Sequence, residues 1–291
     1  MLDFKKQYDF YLNRFELKLK DFFSKLDYST SELLVSIMKY AVLDGGKRIR
    51  PVLCYATCDI LGVPLVEADN LAIALELIHS YSLVHDDLPA MDNDDYRRGK
   101  FSTHKKFGEA NAILCGDALL NLAFETVLSN QNFSNFYLDA IKVLFDYSGY
   151  KGMILGQILD LDYEGKSLTE QDLYDVIINK TVKLISAPII MASKLSGGKY
   201  LDTLNNYAFN IGVLFQIIDD IMDVEGTIDT IGKTPNKDTK SDKLTSVKIL
   251  GLSGAKERAK KHYLQALNYI NSIPNSSFLV SITHMLYGRK V

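Results

Sequence analysis

The chain has no tryptophan, six prolines and only three cysteines in 291 residues, and its formal charge is close to balance at −3. Three cysteines do not make a disulfide framework. Cys54 and Cys58 share a helical face, but no second Cys or His pair follows at zinc-ligand spacing, so reduced core thiols are expected. The slight acidity gives no general drive toward nucleic acid, and affinity for anions has to come from local lysine and arginine clusters. No run approaches the roughly 18 to 20 unbroken apolar residues that span a bilayer. The first residues, MLDFKKQYDFYLNRFELKLKDFF, mix acids and bases where a secretion signal would be apolar. A cytoplasmic protein without a membrane span is expected.

Apolar surface, in contrast, is plentiful: 47% of residues are hydrophobic, enough for a sizeable core. The spacing is helical almost throughout. Phe4, Tyr8, Leu12, Phe15, Leu19 and Phe22 recur every three or four residues, and Leu71, Leu75, Ile78 and Ser82 continue the same kind of stripe. No segment shows strand alternation. Glycines and prolines fall between the periodic segments and divide the chain into about ten helices. No repeat, linker or step in composition marks a boundary, so residues 1–291 are read as a single all-α domain. The longest irregular stretch, residues 226–245, is polar and lysine-rich; a loop of that length in a compact domain is expected to work as a lid.

Two acidic clusters stand out. HDDLPAMDNDDYRRG, residues 85–99, holds five aspartates within ten residues, and such crowding gains nothing unless cations lie between the carboxylates. In FQIIDDIMD, residues 215–223, Asp219 and Asp223 lie one helical turn apart and present two carboxylates to one spot. Hard Mg²⁺ suits such a platform, because it takes one or two carboxylates and fills its remaining positions with phosphate oxygens and water. Asp86 and Asp92 are six apart, roughly 240° out of phase on an unbroken helix. A distortion near Pro89 is expected to return Asp92 to the Asp86 face. No register of residues 86–99 supplies an EF-hand loop, and no Glu-x-x-His pair supports a di-iron site.

Cations surround these clusters. GGKRIRP, residues 45–51, offers Lys47, Arg48 and Arg50 after a flexible glycine pair, and Arg97 and Arg98 follow the first acidic cluster directly. Alone, each pair reads as solvated surface; beside two metal platforms they point to a polyphosphate, whose oxygens suit arginine's fork. His79 lies seven residues before Asp86, nearly two turns, on the same side of a helix.

Together with THKKFGEANAILCGDALL, GMILGQILDLD and NKT, these motifs make the chain resemble a short-chain trans-isoprenyl diphosphate synthase, closest to bacterial-type farnesyl diphosphate synthases, over nearly its whole length. The resemblance implies an antiparallel helical bundle around a central cavity, with the two aspartate-rich helices facing across its mouth. It implies about three Mg²⁺ ions ligated by Asp86, Asp92 and Asp219, with Asp87, Asp220 and Asp223 in support. Lys47, Arg50, His79 and Arg98 would bind isopentenyl diphosphate. Arg97, Lys180, Lys233 and Lys243 would bind the allylic diphosphate, and Thr181 and Gln216 would lie near the reacting carbons.

The implied reaction condenses isopentenyl diphosphate with dimethylallyl or geranyl diphosphate and needs no protein nucleophile. Tyr81, five before the first aspartate, and the inserted Pro89-Ala90 match the family's device for stopping at fifteen carbons, although helical phase alone favours Ser82. Ten- and twenty-carbon products remain open. The loop after Lys233 departs from the family's pattern, as does Val182 where a small residue is common. A homodimer is the family's habit. A terpene cyclase would usually carry a different second metal motif. A non-catalytic partner subunit would tend to lose aspartates or cations that are intact here.

Overall fold

The computed structural model describes residues 2–29, 31–43, 45–130, 133–166, 168–225 and 244–289. Lys233, Lys243 and nearly all of the lysine-rich 226–245 stretch lie outside the described residues. Two compact units account for the chain: Met1–Tyr55 with Pro64–Ser134, and Ala56–Val63 with Asn135–Val291.

The first unit contains α1 (Leu2–Ser24), α2 (Glu32–Val42), most of α3 (Ile49–Leu61), α4 (Leu65–Asp86), α5 (Thr103–Phe107) and α6 (Glu109–Leu128). α4 packs along α6. Leu71, Ala72, Ala74, Leu75, Leu77 and Ile78 of α4 are all fully buried; a helix apolar on nearly every side belongs in a core. On α1 the buried line is Tyr11, Phe15, Leu19 and Phe23: it shares Phe15 and Leu19 with the expected stripe, while Phe4, Tyr8, Leu12 and Phe22 are only half-buried. Ser31 caps α2 by accepting the Leu34 N–H, and Pro51 sits in the first turn of α3, where its missing N–H costs nothing.

Strand pairing is present after all, as a minimal hairpin: β1 (Tyr96–Arg97) pairs antiparallel with β2 (Lys100–Phe101). Arg98 and Gly99 make its turn with φ of 54° and 77°, the positive pair that a tight two-residue hairpin requires. Periodicity does not reveal two-residue strands, and the turn's first residue is arginine rather than asparagine.

The second unit is built on α11 (Leu201–Glu225), which packs along α12 (Ser246–Ile270) and against α10 (Lys183–Leu195). α7 (Asn135–Ser148) lies on α10, and α13 (Ser277–Tyr287) on α11 and α12. α12 bends at Gly251, whose φ is 69°. α8 (Met153–Asp162) and α9 (Glu170–Ile177) both pack on a π-helical turn, Ile178–Val182, that joins α9 to α10. Thr169 and Asp172 close a reciprocal capping box at the start of α9. Cys54, Cys58 and Cys115 are buried free thiols, as expected.

Two helical stretches, Glu109–Leu128 and Glu170–Leu195, are long and apolar enough to cross a bilayer by length and composition alone. In the second, 72% of the apolar window is buried by the protein itself, the signature of a core helix.

Candidate active site

The site residues fall into two groups, one in each unit. In the first unit, α4 ends at Asp86 because Pro89 cannot continue the helical ladder. The chain then turns back on itself: Asp92 N–H donates to the Asp86 carbonyl at 2.8 Å and Asp94 N–H to the Asp87 carbonyl at 3.1 Å, with Asn93 at a φ of 49°. The chain therefore leaves the helix between the two residues, rather than distorting a continuing one, and this brings the Asp92 backbone beside Asp86. Asp86 and Asp92 are half-buried. Asp87 is buried and engaged by Arg97, whose Nε lies 3.0 Å from Oδ1 and whose Nη2 reaches the same oxygen. Burial raises the Asp87 carboxyl's pKa, and the Arg97 charge pulls it back.

The 45–51 turn separates its three cations. Gly45 and Gly46 take φ of 92° and 115°, which an L side chain rarely adopts. Arg48, at φ 48°, turns inward: Nε donates to Glu16 at 2.8 Å, Nη1 to Glu76 at 2.7 Å and Nη2 to the Val42 carbonyl at 2.7 Å. Lys47 is exposed, and Arg50 Nη1 lies 3.1 Å from His79 Nε2. Burial and the charges of Arg50, Arg98, Arg97 and Arg48 hold the imidazole well below its ordinary pKa. A neutral ring with its proton on Nδ1 can accept from Arg50, so His79 can orient that guanidinium without adding charge. Arg98, on the hairpin turn, donates to the Gly45 carbonyl at 2.7 Å.

Tyr81 is buried and its hydroxyl has no hydrogen-bond partner; burial pushes its pKa up to about 12. Its ring meets the His85 ring edge-on at 5.9 Å. A Cβ at Gly116 would lie 2.0 Å from His85 Nε2, so only glycine lets α6 accept that imidazole. Ser82, the position favoured by phase alone, is half-buried and donates to the His79 carbonyl.

In the second unit, NKT lies on the π turn. One extra residue per turn re-aims side chains, and such turns are frequent at functional sites. Two glycines admit it: a Cβ at Gly156 would lie 2.1 Å from Lys180 N, and one at Gly212 2.9 Å from Val182 Cα. Lys180 Nζ donates to Asp160 Oδ2 at 2.5 Å. Thr181 Oγ1 donates to Gln216 Oε1 at 2.6 Å, Gln216 Nε2 to Asp220 Oδ1 at 2.8 Å, and Ser246 gives its N–H and hydroxyl to Asp220 Oδ2, both at 2.7 Å. Asp220 thus ties α11 to the start of α12. Asp219 is half-buried and accepts from Arg289 Nη1 at 2.7 Å; Asp223, one turn on, is buried.

Several of these residues escaped sequence reasoning. Asp160 lies in GMILGQILDLD, a motif whose acids announce no partner in the sequence. Glu16, Glu76, Ser246 and Arg289 carry no local signal, because only the tertiary fold brings them to their partners.

The donor set bears on the metal. Among the described residues, no three His, Cys, Asp or Glu side chains form a cage. Structural zinc or calcium sites need such a cage; Mg²⁺ does not, since phosphate and water complete its shell. Asp86 and Asp92 in one unit and Asp219 and Asp223 in the other are oxygen donors of the kind Mg²⁺ takes. Three of the six aspartates also meet named protein donors: Asp87 accepts from Arg97, Asp219 from Arg289, and Asp220 from Gln216 and Ser246.

Residues 31–275 match the polyprenyl synthetase family. The farnesyl diphosphate synthase of Micrococcus luteus is 43% identical over 257 residues, covering 87% of this chain and 88% of that one. Geranylgeranyl pyrophosphate synthase 4 of Arabidopsis thaliana is 40% identical over 259 residues, covering 87% and 70%. A geranyltransferase from Helicobacter pylori, solved with magnesium and isoprenyl diphosphate, superposes with a TM-score of 0.84 at 35% identity over 96% of both chains. With that match running through both units and these identities over most of its length, the chain belongs to the polyprenyl synthetase family.

Proposed function

We propose that the protein is a farnesyl diphosphate synthase acting as one catalytic domain, joining isopentenyl diphosphate to dimethylallyl and then geranyl diphosphate. The observation that carries this assignment is the gathering of Arg50, Arg97 and Arg98 around a neutral His79 on the helix that ends in Asp86. Positive charge concentrated beside carboxylates of metal-binding type suits a diphosphate and little else.

Asp86, Asp92 and Asp219 would hold Mg²⁺, with Asp87, Asp220 and Asp223 in support, and the metal would supply Lewis-acid stabilisation of a departing diphosphate. Lys180, steadied by Asp160, takes charge from the allylic leaving group, aided by Arg97 and, by resemblance, Lys233. The allylic C–O bond breaks with its electron pair going to diphosphate. The double bond of isopentenyl diphosphate, held by Lys47, Arg50, His79 and Arg98, forms the new C–C bond. A proton then leaves to the diphosphate, so atoms and charge balance without a protein nucleophile. The oxygens of Thr181 and Gln216, fixed by their mutual hydrogen bond, stabilise positive charge on the reacting carbons.

Tyr81 sets the product at fifteen carbons by filling the space beneath the Asp86 turn. A homodimer is supported by α6, where Ile113, Leu114, Phe124 and Leu128 are exposed on the isolated chain. A light-scattering mass of twice 32.8 kDa is expected.

The purified chain with Mg²⁺, geranyl diphosphate and isopentenyl diphosphate should yield a fifteen-carbon diphosphate and free diphosphate. A twenty-carbon product would favour a geranylgeranyl synthase, and no condensation at all would remove the assignment.

A further inference from the structure

Arg48 and Arg98 share one buried counter-charge to which no role has been given. Glu76 lies on α4 one turn before His79 and is 2% exposed. Its Oε1 receives Arg48 Nη1 at 2.7 Å and stands 4.0 Å from Arg98 Nη2. The Arg48 side chain is entirely buried and never reaches solvent or substrate; its remaining donors go to Glu16 and to the Val42 carbonyl. Arg98 touches the 45–51 turn from the other side. It donates to the Gly45 carbonyl, and its guanidinium packs so closely on Gly46 that an added Cβ there would lie 3.1 Å from Cζ. Both arginines sit on backbone at positive φ, a conformation that needs outside support in a non-glycine residue.

We infer that Glu76 is a positioning residue for isopentenyl diphosphate binding, aiming Arg98 and bracing the Lys47–Arg50 turn through Arg48 without touching substrate. This rests on the proposed assignment of Lys47, Arg50, His79 and Arg98 to that diphosphate. Without the carboxylate, Arg48 and Arg98 would face each other with only Glu16 to offset them. Arg98 would then swing toward solvent and the turn would lose its inner brace. Arg97 has its own buried partner in Asp87, so the allylic side is insulated from the change. An asymmetric kinetic effect follows.

The test is a double-mutant cycle on the full-length enzyme. Glu76→Gln is expected to raise the KM for isopentenyl diphosphate about tenfold, the size of one lost charge-assisted contact. The KM for geranyl diphosphate should stay within about twofold, a bound set by the insulation that Asp87 gives Arg97. Arg98→Gln alone should also raise the isopentenyl diphosphate KM. Adding Glu76→Gln to Arg98→Gln should then cost clearly less than Glu76→Gln costs the wild type, because the Arg98 part of its effect is already gone and only the Arg48 brace remains. Glu76→Asp, which keeps the charge but withdraws it by one carbon, should give the same split at smaller size. Glu16→Gln, which loosens Arg48 but leaves Glu76 beside both arginines, should give the same split at smaller size than Glu76→Gln. Multiplicative effects in the double variant, or equal rises in both KM values, would overturn the inference while leaving the substrate assignment standing. An Arg98→Gln enzyme with an unchanged isopentenyl diphosphate KM would instead overturn the assignment itself.

Discussion

His262 offers a pH test of how the second unit holds its site. Arg258 Nη1 lies 2.6 Å from the Tyr174 hydroxyl, which lies 3.1 Å from His262 Nε2; His262 Nδ1 lies 2.8 Å from Asn210 Oδ1, and Asn210 Nδ2 donates to the Asn206 carbonyl at 2.7 Å. The donors run in one consistent direction only if the imidazole is neutral with its proton on Nδ1. The chain ties α9, which leads into the Lys180 turn, to α12 and to α11, which carries Gln216 and Asp219. Burial, helped by Arg258 and Lys261, lowers the His262 pKa from 6.5 to about 4. The unfolded chain therefore binds the proton more tightly between those values, and stability must fall as pH drops from about 6.5 toward 4. At about 1.36 kcal/mol per pKa unit the full loss is about 3.4 kcal/mol, of which about 2 kcal/mol falls between pH 7 and pH 5. Urea unfolding of the wild type and of His262→Gln at both pH values isolates the term, because every other group titrates in both proteins. The variant should be less stable at pH 7 and lose about 2 kcal/mol less on acidification. An identical pH dependence in the two proteins would refute a neutral, buried His262.

Other expectations concern the site directly. Gly156→Ala would drive a methyl into the Lys180 backbone, and a shift of about 1 Å there should cost kcat/KM on the order of a hundredfold, with kcat carrying most of it. Steady-state kinetics on folded variant decide this; unchanged kcat would mean that the turn adapts. Tyr81→Ala should lengthen the product to twenty carbons or more by chromatography, and an unaltered fifteen-carbon product would take Tyr81 out of the stopping role. The same substitution removes a buried hydroxyl that has no partner, so it should cost less stability than the roughly 3 to 5 kcal/mol typical of a large aromatic deletion.

Much of this architecture is legible in the residues themselves. Helical periodicity announces the all-α fold, and the order of motifs announces the family. What escapes are features set by one residue of phase or by distant partners. On α1 the expected Phe15 and Leu19 are buried, but at the ends Tyr11 and Phe23 replace their neighbours Leu12 and Phe22, because both candidates are apolar and only packing chooses between them. Asp92 returns to Asp86 through a turn that helix geometry cannot represent. The π turn under Lys180 has no composition signal; Gly156 and Gly212, which make room for it, lie 24 residues before and 32 after that lysine. GGKRIRP presents three equivalent cations, yet the fold buries Arg48 on Glu16 and Glu76 and leaves Lys47 exposed with Arg50 against His79. Asp87, Asp219 and Asp220 accept from Arg97, Arg289, Gln216 and Ser246, partners that the acidic motifs themselves do not announce.

Calorimetric binding of geranyl diphosphate with and without Mg²⁺ tests the central proposal, that the chain's aspartates hold the diphosphate through magnesium. Tight binding by the wild type should require Mg²⁺, and Asp86→Asn and Asp219→Asn should each weaken it at least about tenfold, the cost of one lost ligand interaction. Binding indifferent to chelation, or weakened by only one of the two substitutions, would contradict it.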